Sequence, residues 1–137
     1  SGSMVIPNSA DLMHWEIGDH GFAMGLSPLV PETVGAALLP WLRDWLKEQA
    51  IPLEAVTSWA VHPGGPKILS TCSEVLSLEP NRLLDSRAVL QDHGNMSSAT
   101  ILFILERLRR RSTAGLCLAL AFGPGLTAEV ALFDRQV

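Results

Sequence analysis

Cysteine is scarce in this sequence: Cys72 and Cys117 are the only two among 137 residues. Two thiols are too few for a disulfide framework or a metal cage, and they fit a reducing, cytoplasmic setting. Basic charge is short as well. Ten Lys and Arg stand against fourteen Asp and Glu, a net charge of −4. That balance argues against a nucleic-acid partner, which needs a basic face. No apolar run approaches the roughly 20 residues that a bilayer-spanning helix requires, so no membrane partner is expected. No signal peptide, internal repeat or low-complexity segment is visible. His14, His20 and His93 show no metal-ligand spacing, and no metal site is expected.

What the chain does have is apolar bulk: 47% of its residues are hydrophobic, enough for one domain with a real core. Ser1-Gly2-Ser3-Met4 reads as a cloning remnant and is set apart from the domain expected over residues 5–137. Met4 to Asp19 reads as an irregular lead-in, with Pro7-Asn8-Ser9 as a turn signal. A short strand is expected over Gly21–Leu26. Pro31 and Glu32 then open a helix, where Val34, Leu38, Trp41 and Trp45 share one face and Pro40 should introduce a kink. Core packing accounts for the two tryptophans better than a binding stripe does.

Thr57 to Val61 reads as a buried strand running into His62-Pro63-Gly64-Gly65. Helices follow at Pro66–Leu78, Ser86–Asp92 and Met96–Arg111. Gly115 to Phe122 is almost uninterrupted apolar, as befits a central strand covered on both faces. Gly123-Pro124-Gly125 turns the chain into a last strand, Leu126–Phe133. The fold class is therefore α/β: a mixed sheet with helices packed on it and a C-terminal β-hairpin. Arg107, Arg109, Arg110 and Arg111 read as a solvated helix end that complements the dipole.

Three segments carry chemistry. In Trp59-Ala60-Val61-His62-Pro63-Gly64-Gly65-Pro66-Lys67-Ile68-Leu69 a histidine stands where a strand ends, a common place for sites in layered α/β folds. The glycines after it allow close approach to the backbone. Alone, His62 reads equally well as a satisfied structural histidine. In Asp92-His93-Gly94-Asn95-Met96-Ser97-Ser98-Ala99 an amide donor stands at a helix start, where an isolated Asn is more often an N-cap. Ala121-Phe122-Gly123-Pro124-Gly125-Leu126-Thr127 would by itself be only a glycine-rich turn.

In this order and spacing the three segments resemble the C-terminal signatures of the type III polyketide synthases, the chalcone and stilbene synthase family. The resemblance covers the chain from about Val5 to Phe133. Ketoacyl synthase III enzymes also use His and Asn, but lack the HPGGP and GNMSSA wording and the proline of FGPG. The resemblance implies one half of a thiolase-like fold, with His62 and Asn95 as catalytic residues. It implies pocket-shaping roles for Met24, Ser97, Phe122, Gly123, Pro124 and Gly125, and CoA contacts at Gly64, Gly65 and Lys67. It further implies acyl-CoA and malonyl-CoA as substrates rather than tightly bound cofactors. The implied partners are an N-terminal half bearing the nucleophilic Cys and a second copy in a homodimer.

Three departures stand out. Neither Cys72 nor Cys117 matches the nucleophile, and both read as core residues. Ala121 stands where plant members often have Gly. Met24 stands where they commonly carry a gating Phe, which suggests a softer entrance. The wording Trp15-Glu16-Ile17-Gly18-Asp19-His20-Gly21-Phe22 resembles bacterial members that make alkylpyrones or alkylresorcinols. A stand-alone, non-catalytic half that binds a partner is the rival expectation.

Overall fold

The computed structural model describes residues 1–111 and 114–135. A four-stranded sheet runs in the order β1-β6-β5-β4, where β1 is Gly2–Val5, β4 Val56–Val61, β5 Gly115–Gly123 and β6 Thr127–Arg135. β4 and β5 are parallel; the β5–β6 hairpin and the β1–β6 pair are antiparallel. A separate two-stranded ribbon joins β2 (Met13–Gly18) to β3 (Gly21–Leu26). The helices are α1 (Val30–Glu48), α2 (Pro66–Val75), α3 (Leu84–His93) and α4 (Ala99–Arg110). The mixed sheet, the packed helices and the terminal hairpin are as expected.

Alternation along β5 sorts its side chains between two cores. Leu118 and Leu120 join Trp59, Val61, Val34, Leu38, Leu42 and Leu69 under α1 and α2. Cys117 and Ala119 point the other way, with Ala60, to meet Val89 of α3 and Ile104 and Leu108 of α4. That second face is built of small side chains, which lets α4 lie close to the strands.

The lead-in expected to be irregular instead contains β1 and β2. Residues 2–5 are set on the sheet by β6, whose outer edge would otherwise stay unpaired; Ser3 also donates to Glu129 at 2.6 Å. A Cβ on Gly2 would fall 2.4 Å from Trp45 Nε1, so β1 lies directly over the indole of α1. In α1, Leu42 rather than Trp41 continues the buried stripe, and Trp41 is only partly covered. The helix runs on through Pro40 because that ring and Ala36, whose carbonyl loses its donor, both face water. α4 begins at Ala99, later than expected, since Ser97 adopts a positive φ of 57° and holds the preceding loop out of the helix.

Candidate active site

Parallel pairing brings the C-terminal ends of β4 and β5 together, so whatever follows each strand shares one end of the sheet. β4 delivers His62 there. Its N–H still donates to Leu120 O of β5 at 2.8 Å, and Gly64 N–H turns back onto His62 O at 3.1 Å. His62 is 9% exposed, and its imidazole bonds no described residue. Among the described residues no buried side-chain nitrogen or oxygen lacks a partner, so the ring nitrogens open to the surface. Loss of solvent holds the His62 pKa below the ordinary histidine value. The group is therefore a neutral imidazole at pH 7, with one N–H donor at the mouth of the strand.

Asn95 sits on the loop between α3 and α4. It does not cap α4, which follows Ser98 and receives no side-chain cap. Its Oδ1 instead accepts from Ser97 N–H at 2.9 Å in an Asx turn. Its Nδ2 then faces the histidine loop and donates to Gly64 O at 3.4 Å. The oxygen's partner fixes which way the amide lies, and the second N–H of Nδ2 stays available. Gly94, at φ 71°, supplies the left-handed bend that ends α3 and starts this loop.

The remaining expected residues fall around the same end of the structure or at its margin. β5 runs three residues beyond Leu120 to Gly123, and Pro124 to Leu126 form the turn. Phe122 is partly buried against the larger core. Gly125, at φ 74°, donates to Met13 O at 2.7 Å and so braces the base of the β2–β3 ribbon. Met24 lies on that ribbon opposite Trp15, and is 50% exposed. Gly64 and Lys67 are exposed where α2 begins, Gly65 is partly covered, and Ser97 is exposed beside Asn95.

Matching against protein families assigns residues 1–136 to the model described as "Chalcone and stilbene synthases, C-terminal domain". The chain belongs to the chalcone and stilbene synthase family, as its C-terminal domain. A Bacillus subtilis (strain 168) protein whose name carries the words chalcone synthase is 31% identical over 137 residues, covering 98% of this chain and 38% of that protein. Polyketide synthase 37 of Dictyostelium discoideum is 31% identical over 140 residues, covering 96% of this chain and 5% of its own. The crystal structure of PKS-I from the brown alga Ectocarpus siliculosus superposes with a TM-score of 0.91 at 26% identity, over 98% of this chain and 38% of that one. This chalcone and stilbene synthase C-terminal domain thus spans well under half the length of the relatives it matches.

Both thiols of the domain are fully buried. Burial pushes Cys72 up to about 12 and raises Cys117 as well, so neither yields a thiolate at neutral pH. The arginines at the end of α4 are more than a solvated helix terminus. Arg111 and Arg107 reach the buried carboxylate of Asp85 at 2.9 and 3.6 Å, Arg107 also meets Asp92 at 3.2 Å, and Arg109 and Arg110 share Glu106. Sequence reasoning missed two hydroxyls near the site, Ser86 and Thr100. Ser86 Oγ accepts from Val61 N–H at 3.1 Å and Thr100 Oγ1 from Met96 N–H at 2.8 Å. A Thr four residues after a loop amide is a faint local signal; a Ser paired across 25 residues leaves none.

Proposed function

We propose that this domain supplies the decarboxylating half of a type III polyketide synthase, with His62 and Asn95 as the oxyanion-stabilising pair. The meeting of their two loops, through Asn95 Nδ2 and Gly64 O, is the observation that carries this reading. When a malonyl thioester loses CO2, the electron pair of the breaking C–C bond passes into the thioester carbonyl and leaves charge on its oxygen. A neutral imidazole N–H and an amide N–H, both preset, stabilise that oxygen without changing their own charge. The resulting enolate carbon attacks an acyl thioester, and the sulfur leaves as thiolate. That sulfur belongs to a Cys of the N-terminal half, because neither thiol here ionises near neutrality. Lys67, exposed at the start of α2, meets the CoA portion. Met24 and the Gly123-Pro124-Gly125 turn shape the entrance for the starter acyl chain, in a protein that works as a homodimer.

Release of CO2 from malonyl-CoA by the full-length enzyme tests the pair. His62→Ala and Asn95→Ala should each lose about 10²–10³ in kcat, as expected for one oxyanion donor. Asn95→Asp should be at least as slow, since a carboxylate repels the developing charge. Wild-type decarboxylation in Asn95→Asp would overturn the assignment. The domain on its own should yield no pyrone or resorcinol from any acyl-CoA and malonyl-CoA pair, and product from it would overturn the need for an outside nucleophile.

A further inference from the structure

We propose that Ser86 and Thr100 are positioning residues for His62 and Asn95, each hydroxyl oxygen holding the backbone N–H beside one member of the pair. The inference rests on the roles given to His62 and Asn95 above and adds the groups that set their backbone. β4 is an edge strand of the sheet. Residues of a parallel strand direct their N–H groups alternately to either side, so His62 N–H faces β5 and Val61 N–H faces away from it. Among the described residues no strand lies there, yet Val61 is 0% exposed. Its N–H would be a buried orphan donor. Ser86, on the first turn of α3 and itself 0% exposed, accepts that N–H at 3.1 Å. The last residue before His62 is thereby tied to a helix rather than to a strand.

At the second loop the logic repeats with a different residue on a different helix. Met96 N shares a peptide plane with the Asn95 carbonyl, so holding Met96 N–H fixes the backbone torsion of Asn95 itself. Thr100 is 0% exposed and accepts that N–H at 2.8 Å. Packing alone would be met equally by Ala or Val at these sites. The two oxygens instead go to the N–H groups that flank the site side chains. α3 and α4, which carry them, are joined by the Asp85 carboxylate and the guanidinium groups of Arg107 and Arg111. The two donors are thus set from a single pair of helices.

The test is a double-mutant comparison in the full-length enzyme, reading kcat and KM for malonyl-CoA decarboxylation. Thr100→Val keeps the shape and removes the oxygen; kcat should fall about 10- to 100-fold, the scale of a misplaced catalytic group, with KM little changed. Thr100→Ser should restore kcat. Because Thr100 acts through Asn95, Thr100→Val with Asn95→Ala should be no slower than Asn95→Ala alone. Ser86→Ala, Ser86→Thr and His62→Ala form the matching set. A slow Asn95→Ala beside an unaffected Thr100→Val, or losses that multiply in the double variant, overturns the positioning role and leaves the site reading standing. A fully active Asn95→Ala overturns both. Should Thr100→Val not fold, amide hydrogen exchange in the unmutated enzyme still decides: protection at Met96 and Val61 is expected, and exchange at the rate of an open loop overturns the proposal.

Discussion

His62 and His14 are displaced in opposite directions, for reasons that sit one contact away. His14 gains a hydrogen bond from its ring to Glu16 at 3.2 Å and a second to Asp11 O, which favour the imidazolium and raise its pKa. His62 has no such partner among the described residues, and desolvation lowers it. The linkage follows from that lowering. Above the ordinary value of 6.5 His62 is neutral whether folded or unfolded, and the fold carries no penalty. As pH falls from 6.5 toward the depressed folded value, the unfolded chain binds a proton the folded one refuses, so stability declines across that window. An NMR titration of the ring protons should place His14 above 6.5 and His62 below it. Glu16→Gln should bring His14 down and leave His62 alone, and a His62 midpoint at or above that of His14 would contradict the account. At this scale much of the candidate site was legible: His62, Asn95 and the glycine-proline turn stand out by wording and order. The hydroxyls of Ser86 and Thr100 were not, because their worth depends on a buried N–H that only the folded chain creates.

Among the elements, α3 carries the most consequence for its length. It holds β4 through Ser86, leads into the Asn95 loop at Gly94, and binds α4 through Asp85. The Asp85 side chain is 6% exposed and faces two guanidinium groups. Asp85→Ala should therefore cost about 1.5–3 kcal/mol, the range for a hydrogen bond to a charged group. Chemical denaturation checks it, and a change below about 0.5 kcal/mol, the scale of a neutral surface substitution, would mean that the clamp contributes nothing. The long apolar elements β5 and α1 were readable from periodicity. β1 was not, since Gly2-Ser3-Met4-Val5 has no strand signature of its own and pairs because β6 presents an edge. The ribbon was half readable. β3 was readable as a short apolar strand, but its partner β2 was not, and one ribbon face lines up Trp15, Ile17, Phe22, Met24 and Leu26, all exposed, with Trp15 and Phe22 in edge-to-face contact at 6.2 Å. With a Trp on that face, acrylamide should quench the Trp15 emission and spare Trp59, which is 1% exposed. Removing the quenchable fraction by Trp15→Phe checks the assignment, and unchanged quenching in that variant would refute it.

For the whole molecule, the decisive feature is the parallel pairing of β4 and β5, two strands adjacent in space but separated by residues 62–114. The β5–β6 hairpin needs only a three-residue turn and closes early, on the microsecond scale of hairpin formation. β4 joins only by closing the loop of residues 62–114, and that long loop carries an entropic cost before any contact repays it. Pulse-labelled amides of β5 and β6 should thus gain protection before those of β4, and simultaneous protection would argue for a different order. Both His62 and Asn95 lie inside this late-closing segment. A chain halted after its hairpin would own His62 and Asn95 and none of their geometry, so the Asn95–Gly64 contact marks the completion of folding.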